Sequence, residues 1–413
     1  RRTANAATSP QDGHVTEMQS RTYAPFVEFL LDPDVVYLNH GSFGACPVEV
    51  FDEYQRLQRR LEEQPVRFLQ RERAALLAAA RDALAGFVGA DPDDVAFVQN
   101  PTFAVNEIAR SLALGPGDEV LTTNHEYGAC RNVWQFVAER IGCTVVEAPL
   151  PITFDSEAEL VDAVFGAATP RTRVLFVSHI TSPTALTLPV AALCARAPER
   201  GLITIVDGAH APGQLDLDVE GIGADFYVGA CHKWLCSPKG ASFLIARPEA
   251  QALLEPLVVG WGWGEHREID LGSPFLDQHE WLGTHDPAAI LSVPAAIEFQ
   301  RRNDWSSVRT ECHRRAIRAL DVCTEIPGVE RVHSDERFVQ MAILELADSF
   351  LRGADVDDVQ RRLRDDWRIE VPVTAWVDRS DRTRRLVRVS IQAYNGDRDV
   401  EHLAQALRAM SRT

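Results

Sequence analysis

The sequence predicts an α/β protein with a large domain on a mostly parallel, seven-stranded sheet and a smaller C-terminal α+β domain. Short β-rich runs alternate with helical segments through the first half of the chain. This alternation places helices on both faces of a parallel sheet, with ligands at the carboxyl ends of its strands. The predicted strands are Val95–Val98, Glu119–Thr123, Thr144–Glu147, Arg173–Val177, Leu202–Val206, Asp225–Val228 and Ser242–Ala246. The predicted helices between them include Asn106–Leu112, Asn132–Arg140 and Ala191–Arg200.

Changes in this pattern indicate the domain boundaries. Residues 1–22 are polar and small, so we expect a tail there, a large domain over 23–295 and a small domain over 296–413. Apolar residues at helical spacing predict one long helix from Asp52 to Val88. Helical stretches then lead into the small domain. Its predicted elements are the strands Val339–Leu346, Ile369–Val373 and Leu386–Ile391 and the helix Asp397–Met410.

Composition and charge exclude several classes of protein. The 413 residues carry a net charge of −18, which argues against nucleic-acid binding, and no apolar run approaches a membrane span. The eight cysteines come without an export signal and are expected to be free thiols in a reducing cytoplasm. Cys231 and Cys236 flank His232, but no second ligand pair with zinc spacing accompanies them, so we expect no metal.

Lysine is almost absent from this chain. Of 42 basic residues only Lys233 and Lys239 are lysine, and the rest are arginine. A codon bias explains the rarity but not the two exceptions. Because arginine is essentially never deprotonated, only a lysine supplies a primary amine for imine chemistry. Both lysines are therefore candidate nucleophiles.

An acid and a lysine follow neighbouring predicted strands. Asp207 opens Asp207-Gly-Ala-His210 at the end of one strand, and a buried acid there needs a positive partner. The protonated pyridine nitrogen of pyridoxal 5′-phosphate (PLP) is such a partner, and His210 could reach the phenolic oxygen or the ring face. Lys233 follows the next strand on a small-residue turn, between His232 and Trp234. Taken alone, the first segment also suits an ordinary strand-end turn, whereas Lys239 beside a glycine fits a turn better than a site.

Three further segments end strands on the same edge of the predicted sheet. Asn100-Pro-Thr-Phe-Ala104 begins a helix after a strand, and exposed N–H groups at a helix start bind anions. In His125-Glu-Tyr-Gly-Ala129, Tyr127 could stack on an aromatic ring. His179-Ile-Thr-Ser-Pro183 follows another strand. Any helix can begin like the first of these segments, and the other two are also compatible with plain turns.

In this order the segments resemble the class V aminotransferase family of PLP enzymes, fold type I, from about Val36 to Met410. The resemblance is strongest to its isopenicillin N epimerase-like members. The residues that carry it are Leu38-Asn-His-Gly-Ser-Phe-Gly44, His125-Glu-Tyr-Gly-Ala129, His179-Ile-Thr-Ser-Pro-Thr184, Val206-Asp-Gly-Ala-His-Ala-Pro-Gly213 and His232-Lys-Trp-Leu235.

The resemblance implies a role for each candidate residue. Lys233 would form the imine linkage to PLP and move protons, Asp207 would pair with the pyridine nitrogen, and His210 would lie near the phenolic oxygen. Tyr127 would stack on the ring. The remaining cofactor contacts would come from Thr102, Phe103, Ser182, His232 and, across a homodimer interface, Thr284. Arg388 would clamp the substrate carboxylate, with Asn39 and His40 facing the substrate.

The resemblance leaves the reaction open. Three reactions remain possible: epimerisation at Cα, β-elimination from a cysteine S-conjugate, and decarboxylation-coupled deamination to an aldehyde. All three are compatible with specialised, antibiotic-type metabolism. Transamination and a non-catalytic PLP-fold regulator rank lower, the latter because Lys233 and Asp207 are both present. The region of 369–373 has no counterpart of the cysteine that desulfurases use as a sulfur acceptor.

Overall fold

The architecture is that of a computed structural model, which describes residues 21–22, 28–265, 267–269 and 271–412. Most of the predicted N-terminal tail, residues 1–20, lies outside the described residues. Fifteen strands are assigned within the described part of the chain. They are β1 Arg21–Thr22, β2 Glu28–Phe29, β3 Val36–Tyr37, β4 Val95–Val98, β5 Glu119–Thr123, β6 Thr144–Ala148, β7 Thr172–Ser178, β8 Ile203–Gly208, β9 Phe226–Ala230, β10 Ser242–Ala246, β11 Val329–Arg331, β12 Met341–Leu346, β13 Ile369–Glu370, β14 Val373–Val377 and β15 Thr383–Ser390.

The main sheet has seven strands in the order β4-β10-β9-β8-β7-β5-β6. The pairs β5–β6, β5–β7, β7–β8 and β8–β9 are parallel, while β10 runs antiparallel to both of its neighbours. The predicted fold class is confirmed, and each of the seven predicted strands is present. Because β5, β7, β8 and β9 are parallel, the segments after them lie at one edge of the sheet.

Helices cover this sheet and fill the small domain. They are α1 His40–Phe43, α2 Val48–Glu63, α3 Arg73–Val88, α4 Pro101–Ser111, α5 Gly128–Ile141, α6 Glu157–Gly166, α7 Val190–Arg196, α8 Val219–Ile222, α9 Pro248–Gln251, α10 Pro274–His279, α11 Ala288–Leu291, α12 Val293–Arg302, α13 Trp305–Thr324, α14 Asp348–Leu351, α15 Val356–Trp367 and α16 Asp397–Arg412. None of the helices in the described ranges is long and apolar enough to cross a membrane.

The prediction of one long helix from Asp52 to Val88 is wrong. The helix α2 ends at Glu63, and a π-helical turn at Arg67–Glu72 precedes α3. Pro65 explains the break, because a proline has no N–H to donate and its ring disfavours a helical conformation in the residue before it. Gln64 accordingly leaves the helical region, with φ −155° and ψ 77°.

The small domain contains a four-stranded antiparallel sheet in the order β11-β12-β15-β14. The predicted strand Ile369–Val373 is wrong as one element, because Pro372 cannot donate to a ladder and divides it. Its first part, β13, instead pairs in parallel with β3 near the N-terminus. The N-terminal segment therefore reaches the small domain, a connection that local sequence patterns do not show.

Separate apolar cores support the two sheets. Within α13, Trp305 packs with the core of the large domain, whereas Cys312, Ala316 and Leu320 pack with the core of the small one. The helix α13 thus links the two cores, and the domain boundary at residue 295 stays a prediction.

Candidate active site

Lys233 lies on the turn after β9, partly buried, with its amine directed at aromatic groups. Its Nζ is 3.3 Å from Nε2 of His210 and 6.0 Å from the ring centroid of Tyr127. Burial lowers the pKa of Lys233 to about 8, with Asp207 opposing the shift and Arg388 adding to it. An amine with this pKa has a larger neutral, nucleophilic fraction near physiological pH than an ordinary lysine, although the ammonium form still predominates.

The backbone of the lysine turn packs tightly against the N-terminal segment. Gly44 has φ +68°, and a Cβ at this position would lie 2.0 Å from the carbonyl oxygen of His232. A glycine is therefore required at this approach. The other lysine, Lys239, donates to the carbonyl of Gly44 at 3.2 Å, so it braces the same contact.

Asp207 ends β8 as a buried carboxylate held by two donors. Its Oδ1 accepts a hydrogen bond from the N–H of Ala209 at 3.0 Å, and its Oδ2 accepts one from the thiol of Cys130 at 3.5 Å. Burial raises the pKa of Asp207, and the nearby charge of Lys233 opposes this shift. Within the described residues, no arginine forms an ion pair with Asp207, and a buried carboxylate of this kind suits a cationic ligand group.

A second buried acid, Glu126, lies beside this site. Its carboxylate oxygens accept hydrogen bonds from the hydroxyls of Thr123 at 2.6 Å and Ser178 at 2.5 Å. Burial raises the pKa of Glu126 to about 8, and the charge of Asp207 contributes to the increase. The site therefore contains a carboxyl group that is mostly protonated at neutral pH.

The predicted phosphate cradle lies at the start of α4. Asn100 caps this helix, and its Oδ1 accepts from the N–H of Phe103 at 2.9 Å. That N–H is therefore already occupied, whereas the structure shows no such partner for the side chain of Thr102 in the described region. The Nδ1 of His232 lies 3.3 Å from the carbonyl of Ala241, which leaves Nε2 as the ring nitrogen available to a ligand.

Arg388 on β15 brings a cation from the small domain into the site. Its Nη1 donates to the carbonyl and hydroxyl oxygens of Ser182 at 2.7 and 3.0 Å, and its Nη2 donates to the hydroxyl of Ser42 at 2.9 Å. Its Nε is buried and has no partner among the described residues. Burial lowers the pKa of Arg388 to about 10. A buried guanidinium without a carboxylate partner suits an anionic ligand group.

The two residues predicted to face the substrate, Asn39 and His40, are both buried. Asn39 accepts from Ser42 at 2.5 Å and so supports the arginine cluster. His40 is fully buried, with Nδ1 3.0 Å from the hydroxyl of Tyr394 and Nε2 3.1 Å from the carbonyl of Lys233. Burial lowers the pKa of His40 to about 3, so the ring is neutral. Through its contact with the carbonyl of Lys233, it stabilises the backbone of the lysine turn.

Thr284 lies apart from the other candidate residues. Together with Val66, Trp261 and Trp281, it lines a surface cavity of about 580 Å³. None of the other predicted site residues contributes to this cavity. Within one chain, Lys233 lies near His210, Tyr127 and Asp207, and Arg388 contacts Ser182, whereas Thr284 lies outside this cluster.

All eight cysteines are buried, and burial raises the pKa of each thiol. They are Cys46, Cys130, Cys143, Cys194, Cys231, Cys236, Cys312 and Cys323. None of them is an exposed thiolate, the form that accepts sulfur in desulfurases. Across the described residues, no group of three His, Cys, Asp or Glu side chains is arranged to hold a metal.

Sequence reasoning did not assign roles to several residues that complete the site. Glu126, Cys130, Ser42 and Trp234 belong to it through contacts that join distant segments. Glu126 precedes Tyr127, and Trp234 follows Lys233. Their position next to predicted site residues was therefore the one sequence signal that could have identified them.

Comparisons with known proteins agree with this geometry. Residues 36–403 match the family Aminotransferase class-V. The chain is 38% identical to isopenicillin N epimerase of Amycolatopsis lactamdurans, over 92% of this chain and 96% of that one. It is 30% identical to L-cysteine desulfhydrase of Arabidopsis thaliana, over 90% and 87% of the two chains. A solved structure of a C-DES mutant, with glycine covalently linked to its PLP cofactor, has a TM-score of 0.78 at 21% identity, covering 91% of this chain and 97% of that one.

The residues present fit the cofactor that this family uses. A buried carboxylate suits a pyridinium nitrogen, a partly neutral lysine suits an aldehyde, and the helix start at Pro101 suits a phosphate. Family, fold and site chemistry agree, and the chain therefore belongs to the class V aminotransferase family of PLP-dependent enzymes.

Proposed function

We propose that this chain acts at the Cα of an amino-acid-containing substrate, as an isopenicillin N epimerase-like enzyme of specialised, antibiotic-type metabolism. One observation carries the proposal. Arg388, a buried cation without a carboxylate partner among the described residues, lies close enough to Lys233 for its charge to lower the pKa of that lysine. A carboxylate bound to the arginine would bring the neighbouring Cα to the lysine amine. The similarity to isopenicillin N epimerase favours this substrate class.

The chain's own residues can supply the proton movements. When bound, PLP withdraws electrons from Cα and so weakens the bonds to it. The amine of Lys233 would remove a proton on one face. For inversion a second group must act on the other face, and we assign this to the hydroxyl of Tyr127, whose side chain is 46% exposed. His40 is unsuited to this role because both of its ring nitrogens contact protein groups.

A C–S β-lyase reaction on a cysteine S-conjugate is the second candidate. Lys233 is a base that suffices for it, since elimination needs no second-face proton donor. The similarity to L-cysteine desulfhydrase favours this reaction. Decarboxylation-coupled deamination is the third, and it uses the same cofactor residues.

The test compares products from the PLP-loaded protein and its Tyr127→Phe variant. Amino acids, peptides with a terminal amino acid and cysteine S-conjugates are incubated in D₂O and assayed for inverted stereochemistry, pyruvate and aldehyde. We expect inversion with deuterium at Cα in the parent protein, and exchange without inversion in the variant. Pyruvate formation that is unchanged by Tyr127→Phe would replace the epimerase proposal with the lyase.

We also propose that the enzyme is a cytoplasmic homodimer in which Thr284 contacts the phosphate bound by the partner. The cavity that Thr284 lines includes Trp261, which belongs to an exposed apolar segment of the chain. Val259, Trp261 and Trp263 are exposed by 64%, 62% and 57%, which is unusual for a surface in water. Light scattering should give twice the chain mass, and Thr284→Ala should weaken PLP binding in that dimer. A monomer with undiminished PLP affinity in the variant would contradict this proposal.

A further inference from the structure

The indole of Trp234 makes a single directed hydrogen bond inside the site. Trp234 is fully buried, and its Nε1–H donates to Nδ1 of His210 at 3.3 Å. An indole nitrogen only donates hydrogen bonds. The Nδ1 of His210 must therefore present its lone pair to the indole and carry no proton.

His210 is consequently restricted to one neutral form. Burial lowers the pKa of His210 well below its usual range, and the charge of Lys233 adds to this. The ring is neutral, so its one proton lies on Nε2, which is 3.3 Å from Nζ of Lys233. An N–H at this position can donate to a neutral amine, whereas an ammonium group offers no acceptor.

We propose that Trp234 is a positioning residue that fixes the Nε2–H tautomer of His210 and thereby favours the neutral, nucleophilic amine of Lys233. The functional part of this inference rests on the proposed cofactor role of Lys233. The lowered pKa of Lys233, about 8, agrees with it. The other charged or titratable groups that influence these two side chains are Asp207, Cys130, Arg388, His232, His40 and the ring of Tyr127.

The backbone on both sides of this hydrogen bond is held by further contacts. Gln214 donates to the carbonyl of His210 at 2.7 Å, and Gln300 donates to the carbonyl of Trp234 at 2.8 Å. A Cβ on Gly213 would lie 2.2 Å from the carbonyl oxygen of Trp234. The relative position of indole and imidazole is therefore set by the fold rather than by side-chain rotation alone.

The first test reads the tautomer without any cofactor. The apoprotein is labelled with ¹⁵N in its histidines, and the resonances of His210 are assigned by their absence in His210→Gln. We expect the proton on Nε2 at pH 7. A proton on Nδ1, or an even mixture of tautomers, would overturn the inference, and this holds whether or not Lys233 binds PLP.

The second test measures how the rate of PLP capture by the apoprotein depends on pH. Without the indole donor, Nε2 of His210 can accept from the ammonium form, so Trp234→Phe should move the midpoint upward by about 0.5–1 pH unit. Trp305→Phe is the matched control, because the buried indole nitrogen of Trp305 has no partner in the described part of the chain. An unchanged midpoint in Trp234→Phe would contradict the proposal.

A double variant separates the positioning role from a general structural one. In His210→Gln the side-chain amide donates regardless of the indole, so adding Trp234→Phe should cause no further shift in the midpoint. A further shift of the same size would show that Trp234 acts without His210. If Lys233→Ala still captured PLP covalently, the proposed lysine role would fail while the tautomer result remained.

Discussion

The thiol of Cys130 donates a hydrogen bond to Oδ2 of Asp207 across 3.5 Å, which joins the first turn of α5 to the end of β8. The thiol is buried and its pKa is raised, so it remains a donor near neutral pH. A hydrogen bond of this kind stabilises the carboxylate over the carboxylic acid. Cys130 therefore acts on the residue that we propose to hold the pyridine nitrogen.

We predict that Cys130→Ala weakens PLP binding less than tenfold at pH 7, because one hydrogen bond to a carboxylate contributes about 1 kcal/mol. The loss should shrink as pH rises, since Asp207 then ionises without help from the thiol. Cys130→Ser keeps a donor and should retain most of the affinity. Dissociation constants measured by fluorescence titration between pH 6 and pH 9 check this, and a deficit that grew with pH would contradict it.

Because the chain has only two lysines, the cofactor-binding residue can be identified directly. We predict that Lys233→Ala abolishes the yellow absorbance of the PLP-loaded protein, whereas Lys239→Ala retains it. Lys239 donates to the carbonyl of Gly44, so its loss should affect stability more than colour. Borohydride reduction followed by peptide mass mapping should place the label on Lys233, and a label on Lys239 would refute the assignment.

Arg388 should act on substrate and not on cofactor. We predict that Arg388→Lys raises KM about 10–100-fold, because the bidentate charge-assisted contact to a carboxylate is lost. PLP affinity should remain unchanged in this variant. Arg385→Ala is a matched control on the same strand, since Arg385 forms an exposed ion pair with Asp348. Loss of the cofactor in Arg388→Lys would mean that the arginine has a different role.

Glu126 should give the apoprotein a distinctive pH dependence of stability. Its pKa in the folded protein, about 8, lies above the ordinary value of 4.5. Its contribution to the free energy of unfolding is therefore fully present below pH 4.5 and is lost as pH rises through 8. Glu126→Gln cannot ionise, and we predict that it becomes more stable relative to the parent protein as pH increases from 5 to 9.

Glu119 is the control for this prediction, because its pKa is shifted in the opposite direction. Hydrogen bonds from Thr169 and Arg171 lower the pKa of Glu119, so its contribution is present above its ordinary pKa and is lost as pH falls through the folded value. Glu119→Gln should therefore be least stable, relative to the parent, at neutral and alkaline pH. Urea denaturation across the pH range measures both variants, and parallel stability curves for Glu126→Gln and the parent would contradict the first prediction.

Where sequence reasoning succeeded, the relevant signals were local. The seven strands of the main sheet have apolar runs ended by turn residues, and strand direction then places Asp207 and Lys233 at one edge. Where sequence reasoning failed, the structure depended on contacts between distant segments or on a single proline. Pro65 and Pro372 each interrupt an otherwise convincing pattern, and the pairing of β3 with β13 joins segments far apart in the chain.

The amino-acid pattern was sufficient for the fold class and, with the family resemblance, for the cofactor, because buried strands and a strand-end acid are properties of short segments. The almost lysine-free composition singles out Lys233 as the candidate for the imine linkage, and that role stays a prediction. The tertiary structure alone decided which groups surround that lysine. It brought the indole of Trp234 to His210, the thiol of Cys130 to Asp207 and Arg388 to Ser182. Hydrogen bonds and pKa shifts depend on distances of a few ångströms and on burial, and these exist only after the chain has packed its distant segments together.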